Sequence, residues 1–466
     1  MAATTADRAE PARPSASRWL IGVAAVVMTA GLLFGYDQGV IAGALHGLKS
    51  DFDIGTTVTE IITSWVTLGA LGGALVAGFL ADRWGRRTTI LAAAVLFTAG
   101  AIVEAVAPGP GVLVVGRLIV GFGVGVASVA APLYAAEMAP AHLRGRFVSM
   151  YQLAITIGIL VAYVVDQALT DSDAWRAMLG ASAVPGVLLL VAMWPMPDSP
   201  RWLLSKGRRG EAAAALTKVE PDAAVDARLA DVQAALDADR EQVSWRGLLA
   251  PELRRPLQIG ILLAVFQQIT GINAIIYYAN EIFGDAGFDT PQEQAAATTW
   301  TIGVVNVVAT FIAIAFVDRF GRKPLLRAGL VGMALSLTVV GIGFRVLEGE
   351  TGNAGGADSF GAILTLGGLI VFIASFAFSL GPIVWTVINE IYPSKVRGRA
   401  VSVATAVNWG SAWLVSQFFL TLVDAIGQAG TFWLFAGFSA VAFAWVTRAV
   451  PETKGRTLEE IEAFWT

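Results

Sequence analysis

Twelve runs of mostly apolar residues recur along the chain, at 19–45, 59–81, 88–107, 112–136, 147–169, 176–194, 257–283, 296–318, 325–346, 360–387, 399–424 and 429–450. A helix needs about 20 such residues to cross the hydrocarbon core of a bilayer. In lipid the backbone must satisfy its own hydrogen bonds, so each run predicts a helix. Only 15% of the 466 residues are charged and 56% are hydrophobic, against roughly 25% charged in soluble domains. A chain this apolar cannot clothe a water-facing surface. The reading is an all-α membrane protein, which excludes a soluble enzyme, a nucleic-acid binder and a disordered scaffold. The net charge of −4 offers nothing to a polyanion. Cysteine is absent, and the two histidines, His46 and His142, fall on opposite sides of a twelve-span arrangement. No disulfide, thiolate, metal site or cofactor is therefore expected, and no enzymatic activity.

Charge distribution predicts the orientation. In a twelve-span arrangement, 28 of the 32 Lys and Arg residues fall in loops and tails on one face. The opposite face has only Lys49, Arg176 and Arg345, and Arg117 lies inside a span. The positive-inside rule makes the rich face cytoplasmic, with both termini there. The polar start, 1–18, reads as a disordered tail, and the first apolar run is too long for a cleaved signal. Close helix contacts are expected at Gly69/Gly73 and Gly121/Gly125, where small residues let backbones approach.

The chain also repeats itself. D-R-W-G-R-R at 82–87 recurs as D-R-F-G-R-K at 318–323, and E-x-x-P-x-x-x-R-G-R-x-V-S runs from Glu137 and again from Glu390. P-D-S-P-R at 197–201 matches P-E-T-K-G at 451–455 more loosely. Two six-helix bundles, 19–194 and 257–450, follow, joined by a linker at 195–256 and ending in a tail at 451–466. In the linker Val225, Leu229, Val232 and Leu236 share one helical face. Two similar bundles suit a transporter that rocks about a site between them. A channel or receptor built from duplicated bundles is the alternative.

Taken together, these motifs resemble the sugar porter family of the major facilitator superfamily, which includes bacterial sugar/proton symporters and the animal glucose facilitators. The resemblance runs from G-Y-D at 35–37 through Q-Q-I-T-G-I-N at 267–273 to P-E-T-K-G-R-T at 451–457. D-R-x-G-R-R marks only the superfamily; the other motifs are more specific.

Asp37 and Arg117 are the ionisable side chains expected well inside the spans, with Glu60, Glu104, Glu281 and Arg345 near the outer ends and Glu390 near the inner end. An isolated charge at mid-membrane costs at least about 2.5–3.5 kcal/mol, so such residues pair and carry function. Counting along the helices puts Asp37 at a depth of about 12 Å and Arg117 at about 8 Å, near enough to meet. Asp37 then reads as the proton carrier, with Arg117 as the partner whose distance alters its proton affinity. The resemblance implies the same, since proton symporters of the family have Asp here and the facilitators Asn. A static ion pair that only fixes packing is the alternative.

The spans otherwise offer amides and aromatics, which suit a neutral polyhydroxylated ligand. The resemblance implies sugar contacts at Gln152, Gln267, Gln268, Asn273, Asn306 and Trp385, and a further polar position at Asn408. It implies pocket-wall or gate roles for Phe34, Tyr277, Tyr278 and Trp409. Ile159 stands where the xylose symporter has a second Gln, and 378–385 lacks the Glu of the animal facilitators, so glucose, galactose, xylose and inositol all remain open.

At the Lys/Arg-rich face, Asp82, Arg83, Arg86, Glu137 and Arg144 mirror Asp318, Arg319, Arg322, Glu390 and Arg397. They are expected to form ion pairs tying the inner ends of the bundles together while the outside is open; topology and helix capping alone are the alternative. The leading reading is a secondary active transporter in a plasma membrane, bacterial by its Ala/Gly/Val/Arg-rich composition, importing a neutral monosaccharide or polyol by proton symport. Its expected partners are the sugar, the proton and the lipid bilayer, and it is expected to work as a monomer. A facilitative uniporter and a sugar sensor are the alternatives; a membrane enzyme is disfavoured by the absence of clustered His, Cys or paired carboxylates.

Overall fold

The computed structural model describes residues 18–140, 143–172, 174–220, 224–239, 247–248, 250–349, 356–393, 396–455 and 460–461. The tail expected at 1–18 falls almost wholly outside them, as do the side chains of Arg144 and Asp318. No strand occurs among the described residues.

The first four spans are continuous helices, Arg18–Phe52, Thr56–Trp84, Arg86–Ala105 and Pro110–Met138. Span 5 is Arg144–Leu169, and span 6 is two short helices in series, Trp175–Ala181 and Ala183–Met193. Spans 9 and 12 are Arg322–Gly349 and the later part of Phe419–Ala449. Span 11, Arg397–Gln417, continues past Phe418 as far as the kink at Gly427. Eleven of these segments are long and apolar enough by composition to cross a membrane. Span 11 completes the twelve; it carries Asn408, Ser416 and Gln417 buried inside the protein, which lowers its hydropathy.

Three spans of the second half are broken. Span 7 comprises Arg254–Ile269, Ile272–Tyr277 and Ala279–Asp285. The first break is at Gly271, whose φ of 93° is left-handed, a conformation that glycine alone adopts without strain. Span 8 runs from Pro291–Thr298 through a π-helical turn, Thr299–Val304, into Val305–Phe320. Span 10 changes direction at Ser379, between Phe360–Phe378 and Leu380–Ile391. Non-helical backbone at membrane depth survives only where protein covers it or a cavity solvates it, so the breaks point to a polar interior.

Spans 2 and 4 pack backbone to backbone. A Cβ on Gly121 would lie 2.0 Å from the Val66 carbonyl oxygen, and one on Gly73 2.2 Å from that of Phe122. These are two of the glycines that the sequence pairs as close contacts. Neither obstacle is a flexible side chain, so substitution must push whole helices apart. Gly121→Val is expected to cost about 3 kcal/mol or more; a lower melting temperature and poor membrane yield check it, and an unchanged melting temperature contradicts it.

The linker helices Pro200–Ser205, Arg209–Val219 and Val225–Asp239 form a small core of their own. Trp202, Leu203, Leu216 and Leu229 are buried in it, with Val225, Val232 and Leu236 packed alongside.

Candidate functional site

Buried charge gathers where spans 1, 3 and 4 meet. Arg117 Nη1 donates to Asp37 Oδ1 at 2.9 Å, and Arg117 Nε donates to the Ile62 carbonyl of span 2 at 3.2 Å. The two side chains are 0% and 3% exposed, so the pair is sealed from solvent. The cluster has a third member, expected near the outer end of its span and found there, but not exposed. Glu104 is buried, with Oε1 3.8 Å from Arg117 Nη1. Its place as the penultimate residue of span 3 hid this. Residue counting gives position along a helix, not which neighbour covers it.

Another acid inside the spans is Asp166, three residues before the end of span 5. It is buried and its Oδ2 accepts from the Gly43 N–H at 3.2 Å, while Oδ1 has no donor. A Cβ on Gly43 would lie 2.3 Å from the carboxyl carbon. The interior thus holds more than one acid and one base. Glu60 is buried as well, accepting from the backbone and hydroxyl of Thr421 at 2.7 and 2.8 Å.

The amides divide into two groups. Asn408 of span 11 donates to Gln267 Oε1 at 2.7 Å and to the Ala264 carbonyl at 3.1 Å, and accepts from Gln268 Nε2 at 3.2 Å. Gln267 Nε2 donates to the Leu380 carbonyl at 2.8 Å, just past the break in span 10. One network therefore ties spans 7, 10 and 11 together. Gln268 Oε1 is buried without a donor. The second group, Gln152, Asn273 and Asn306, makes no side-chain hydrogen bond among the described residues, so its donors and acceptors are uncommitted. Asn273 and Asn306 are only 5% and 6% exposed, and uncommitted amides that deep are costly unless water or a ligand meets them. Trp385 is partly exposed on span 10.

Aromatic residues join the halves. Phe34 of span 1 packs on Trp409 of span 11 with ring centroids 5.4 Å apart. Tyr277, on the middle segment of span 7, lies within electrostatic reach of both Asp37 and Arg117. Tyr278 donates to the Ser416 carbonyl at 2.9 Å and stacks on Phe419. Tyr163 of span 5 also donates to the Ile276 carbonyl at 2.9 Å. Nothing in the local sequence distinguishes it from a packing tyrosine.

At the Lys/Arg-poor face the two halves are bonded together. Lys49 Nζ lies 2.8 Å from Glu281 Oε2, and Ser64 Oγ and Trp65 Nε1 donate to Gln417 Oε1 at 2.7 and 3.2 Å. At the Lys/Arg-rich face the motif residues pair within each half. Arg86 makes a two-pronged contact with Glu137 at 2.8 and 2.9 Å and also reaches Asp82 at 3.1 Å. Arg322 reaches Glu390 at 3.0 Å, and Arg397 donates to the Tyr392 carbonyl. Arg83 is exposed and makes no ion pair among the described residues, and Arg319 lies over the Phe320 ring. Each of these ion pairs among the described residues lies within one bundle.

The loosely matched P-D-S-P-R and P-E-T-K-G prove to be one device used twice. Gly85 and Gly321 turn the chain with φ of 95° and 89°. Asp198 then accepts from the N–H groups of Arg86 and Arg87, and Glu452 from those of Arg322 and Lys323. Ser199 and Thr453 donate to Glu137 and Glu390. A carboxylate at a helix N-terminus satisfies orphan donors and meets the positive end of the dipole. Burial pushes the Asp198 carboxyl above its ordinary range despite those donors. Burial pushes Glu452 up too, but its backbone donors outweigh that and hold it below.

Three comparisons bear on this site. The family profile described as sugar (and other) transporter matches residues 23–465. The arabinose-proton symporter of Escherichia coli K12 is 42% identical over 446 residues, 95% of this chain and 92% of its own length. The galactose-proton symporter of the same strain is 41% identical over 435 residues, 93% of this chain and 91% of its own. Among solved structures, a partially occluded inward-open form of the xylose transporter XylE from E. coli is similar, with a TM-score of 0.81 and 29% identity over 95% of this chain and 100% of that one.

Proposed function

Because the chain belongs to the sugar porter family of the major facilitator superfamily, and so is a multi-pass transporter and not an enzyme, we propose that it imports a neutral monosaccharide or polyol together with a proton. The observation that carries this reading is the adjacency of two parts. A sealed carboxylate–guanidinium pair sits beside Tyr277 on the same broken span that supplies Gln267, Gln268 and Asn273. Rearranging span 7 to admit a sugar changes the surroundings of Asp37. A motion that separates Asp37 from Arg117 changes its affinity for a proton. The relatives are named for the same chemistry, symport of arabinose or galactose with a proton.

The uncommitted amides Gln152, Asn273 and Asn306 offer both donors and acceptors to ring hydroxyls, and Trp385 offers an apolar face. The bonds at the Lys/Arg-poor face support a conformation closed on that side, which is the outer side when the Lys/Arg-rich face is cytoplasmic. The setting is a bacterial plasma membrane, and the proton serves as coupling ion with no further cofactor.

The test is a panel of labelled arabinose, galactose, glucose, xylose and inositol offered to proteoliposomes with and without an inward proton gradient. At least one should accumulate above its external concentration only when the gradient is imposed, with alkalinisation of the medium. Equilibration without accumulation would favour a facilitator. No uptake of any neutral sugar overturns the substrate class.

A further inference from the structure

Arg117 carries five N–H donors in a rigid fork, and the structure employs them unevenly. Nη1 is given to Asp37 and Nε to Ile62, while Nη2 is buried with no acceptor. Glu104 Oε1, 3.8 Å from Nη1, is buried with no donor. A spare donor and a spare acceptor of opposite charge therefore share one sealed pocket. Span 4 makes room for this arrangement: a Cβ on Gly116 would lie 2.6 Å from Glu104 Cγ. Bare backbone at Gly116 lets the carboxylate lie against the helix that carries Arg117.

We propose that Glu104 is the alternate counter-ion of Arg117. When Asp37 takes up the coupling proton, the guanidinium transfers its Nη donors to the Glu104 carboxylate, and it returns when the proton leaves. One proton adds to a carboxylate oxygen of Asp37 while Arg117 stays protonated, and the exchange requires Glu104 to be the anion that receives the guanidinium. The cluster passes between net charges of −1 and 0. A buried guanidinium without a partner is the most costly state available to it, and the exchange avoids that state in both halves of the cycle. The inference rests on the proton-symport reading and gives Glu104 a positioning role in it.

The charged groups around Glu104 are few. Arg117 faces it from span 4, and Asp37 of span 1 acts on it across the guanidinium. Arg176 of span 6, near the same end, is engaged by Asp51 at 2.8 Å and the Ala107 carbonyl at 3.2 Å. Tyr277 of span 7 adds a hydroxyl within reach of the pair.

The test uses Asp37→Asn, Glu104→Gln, the double variant and Glu104→Asp in the full chain. The melting temperature of the detergent-solubilised protein should fall modestly for each single variant, because one acid still holds Arg117. In the double variant it should fall by more than the sum. Uphill uptake, normalised to each variant's own maximum, should have its midpoint moved to lower pH in Glu104→Gln by about one unit, a tenfold rise in the proton concentration required. Losing a like charge makes the remaining acid less ready to accept a proton, which sets the sign. Glu104→Asp should move the midpoint back. A space-filling glutamate would leave it in place when replaced by isosteric Gln. Additive melting shifts, or an unmoved midpoint in a wild type that does symport, overturn the inference and leave the symport reading intact. Absence of uphill uptake in the wild type would instead count against that reading, and the melting cycle alone would decide whether the two acids share Arg117.

Discussion

Asp37→Asn is expected to abolish accumulation of the sugar against its gradient while exchange of sugar across the membrane continues. The side chain of Asn has nearly the shape of Asp but cannot carry a proton on and off at physiological pH. The magnitude at stake is large. One proton moving down 100 mV supplies about 2.3 kcal/mol, and each 1.4 kcal/mol is tenfold in concentration, so coupling to voltage alone sustains a gradient of about 40–50-fold. The variant should bring that ratio to unity and remove the pH dependence of uptake. The protein should still fold, because Arg117 retains a carboxylate in Glu104, 3.8 Å away. The repeat supplies a precedent within the chain: an offset of 236 maps Gly35-Tyr36-Asp37 onto Gly271-Ile272-Asn273, where the matching position is already Asn. Counterflow in proteoliposomes measures the exchange, and imposed-gradient uptake measures accumulation. Undiminished uphill uptake in the variant removes Asp37 from the coupling step.

What the sequence made legible follows the physics of lipid. Twelve apolar runs become twelve spans because hydrocarbon leaves the backbone no alternative, and the position of each run is a local property. The Asp37–Arg117 pair was legible for the same reason, since a charge in an apolar run needs a partner and few exist. The motif repeats were legible as repeats, yet their content was not. The equivalence of Asp198 and Glu452 lies in which backbone N–H groups they cap, and those belong to residues more than a hundred positions away. Glu104 lies near the end of its span as expected, but its burial against Arg117 escaped notice because the sequence reports depth along a helix and not azimuth. Asp166 escaped because its companion is a backbone N–H, at Gly43, which no pattern of side chains announces. The closure of the Lys/Arg-poor face was invisible too. It depends on contacts such as Ser64 with Gln417, which exist in one conformation of the cycle and are set by the packing of two bundles.

That closure gives the other prediction of large effect. Transport by alternating access requires the Lys/Arg-poor face to open in each cycle, so the bond between Lys49 and Glu281 must break and re-form. The pair is partly exposed, at 35% and 29% for the two side chains, and exposed ion pairs contribute only about 0–1 kcal/mol. Thermal motion therefore opens it readily, and a covalent bridge would not open. The chain contains no cysteine, so Lys49→Cys with Glu281→Cys introduces the only two thiols and needs no background substitutions. A short, reducible bifunctional thiol reagent should join them, since the native side chains span the gap with 2.8 Å between their ends. Joined, the two positions hold spans 1 and 7 together, and uptake should fall at least tenfold, recovering on reduction. Each single-cysteine variant given the same reagent should transport normally, which separates locking from simple modification. The wild type should be indifferent to the reagent. Full uptake by a quantitatively bridged protein would mean that this face need not part at spans 1 and 7. The substrate would then reach Asn273 and its neighbours by some route other than rocking of the two bundles.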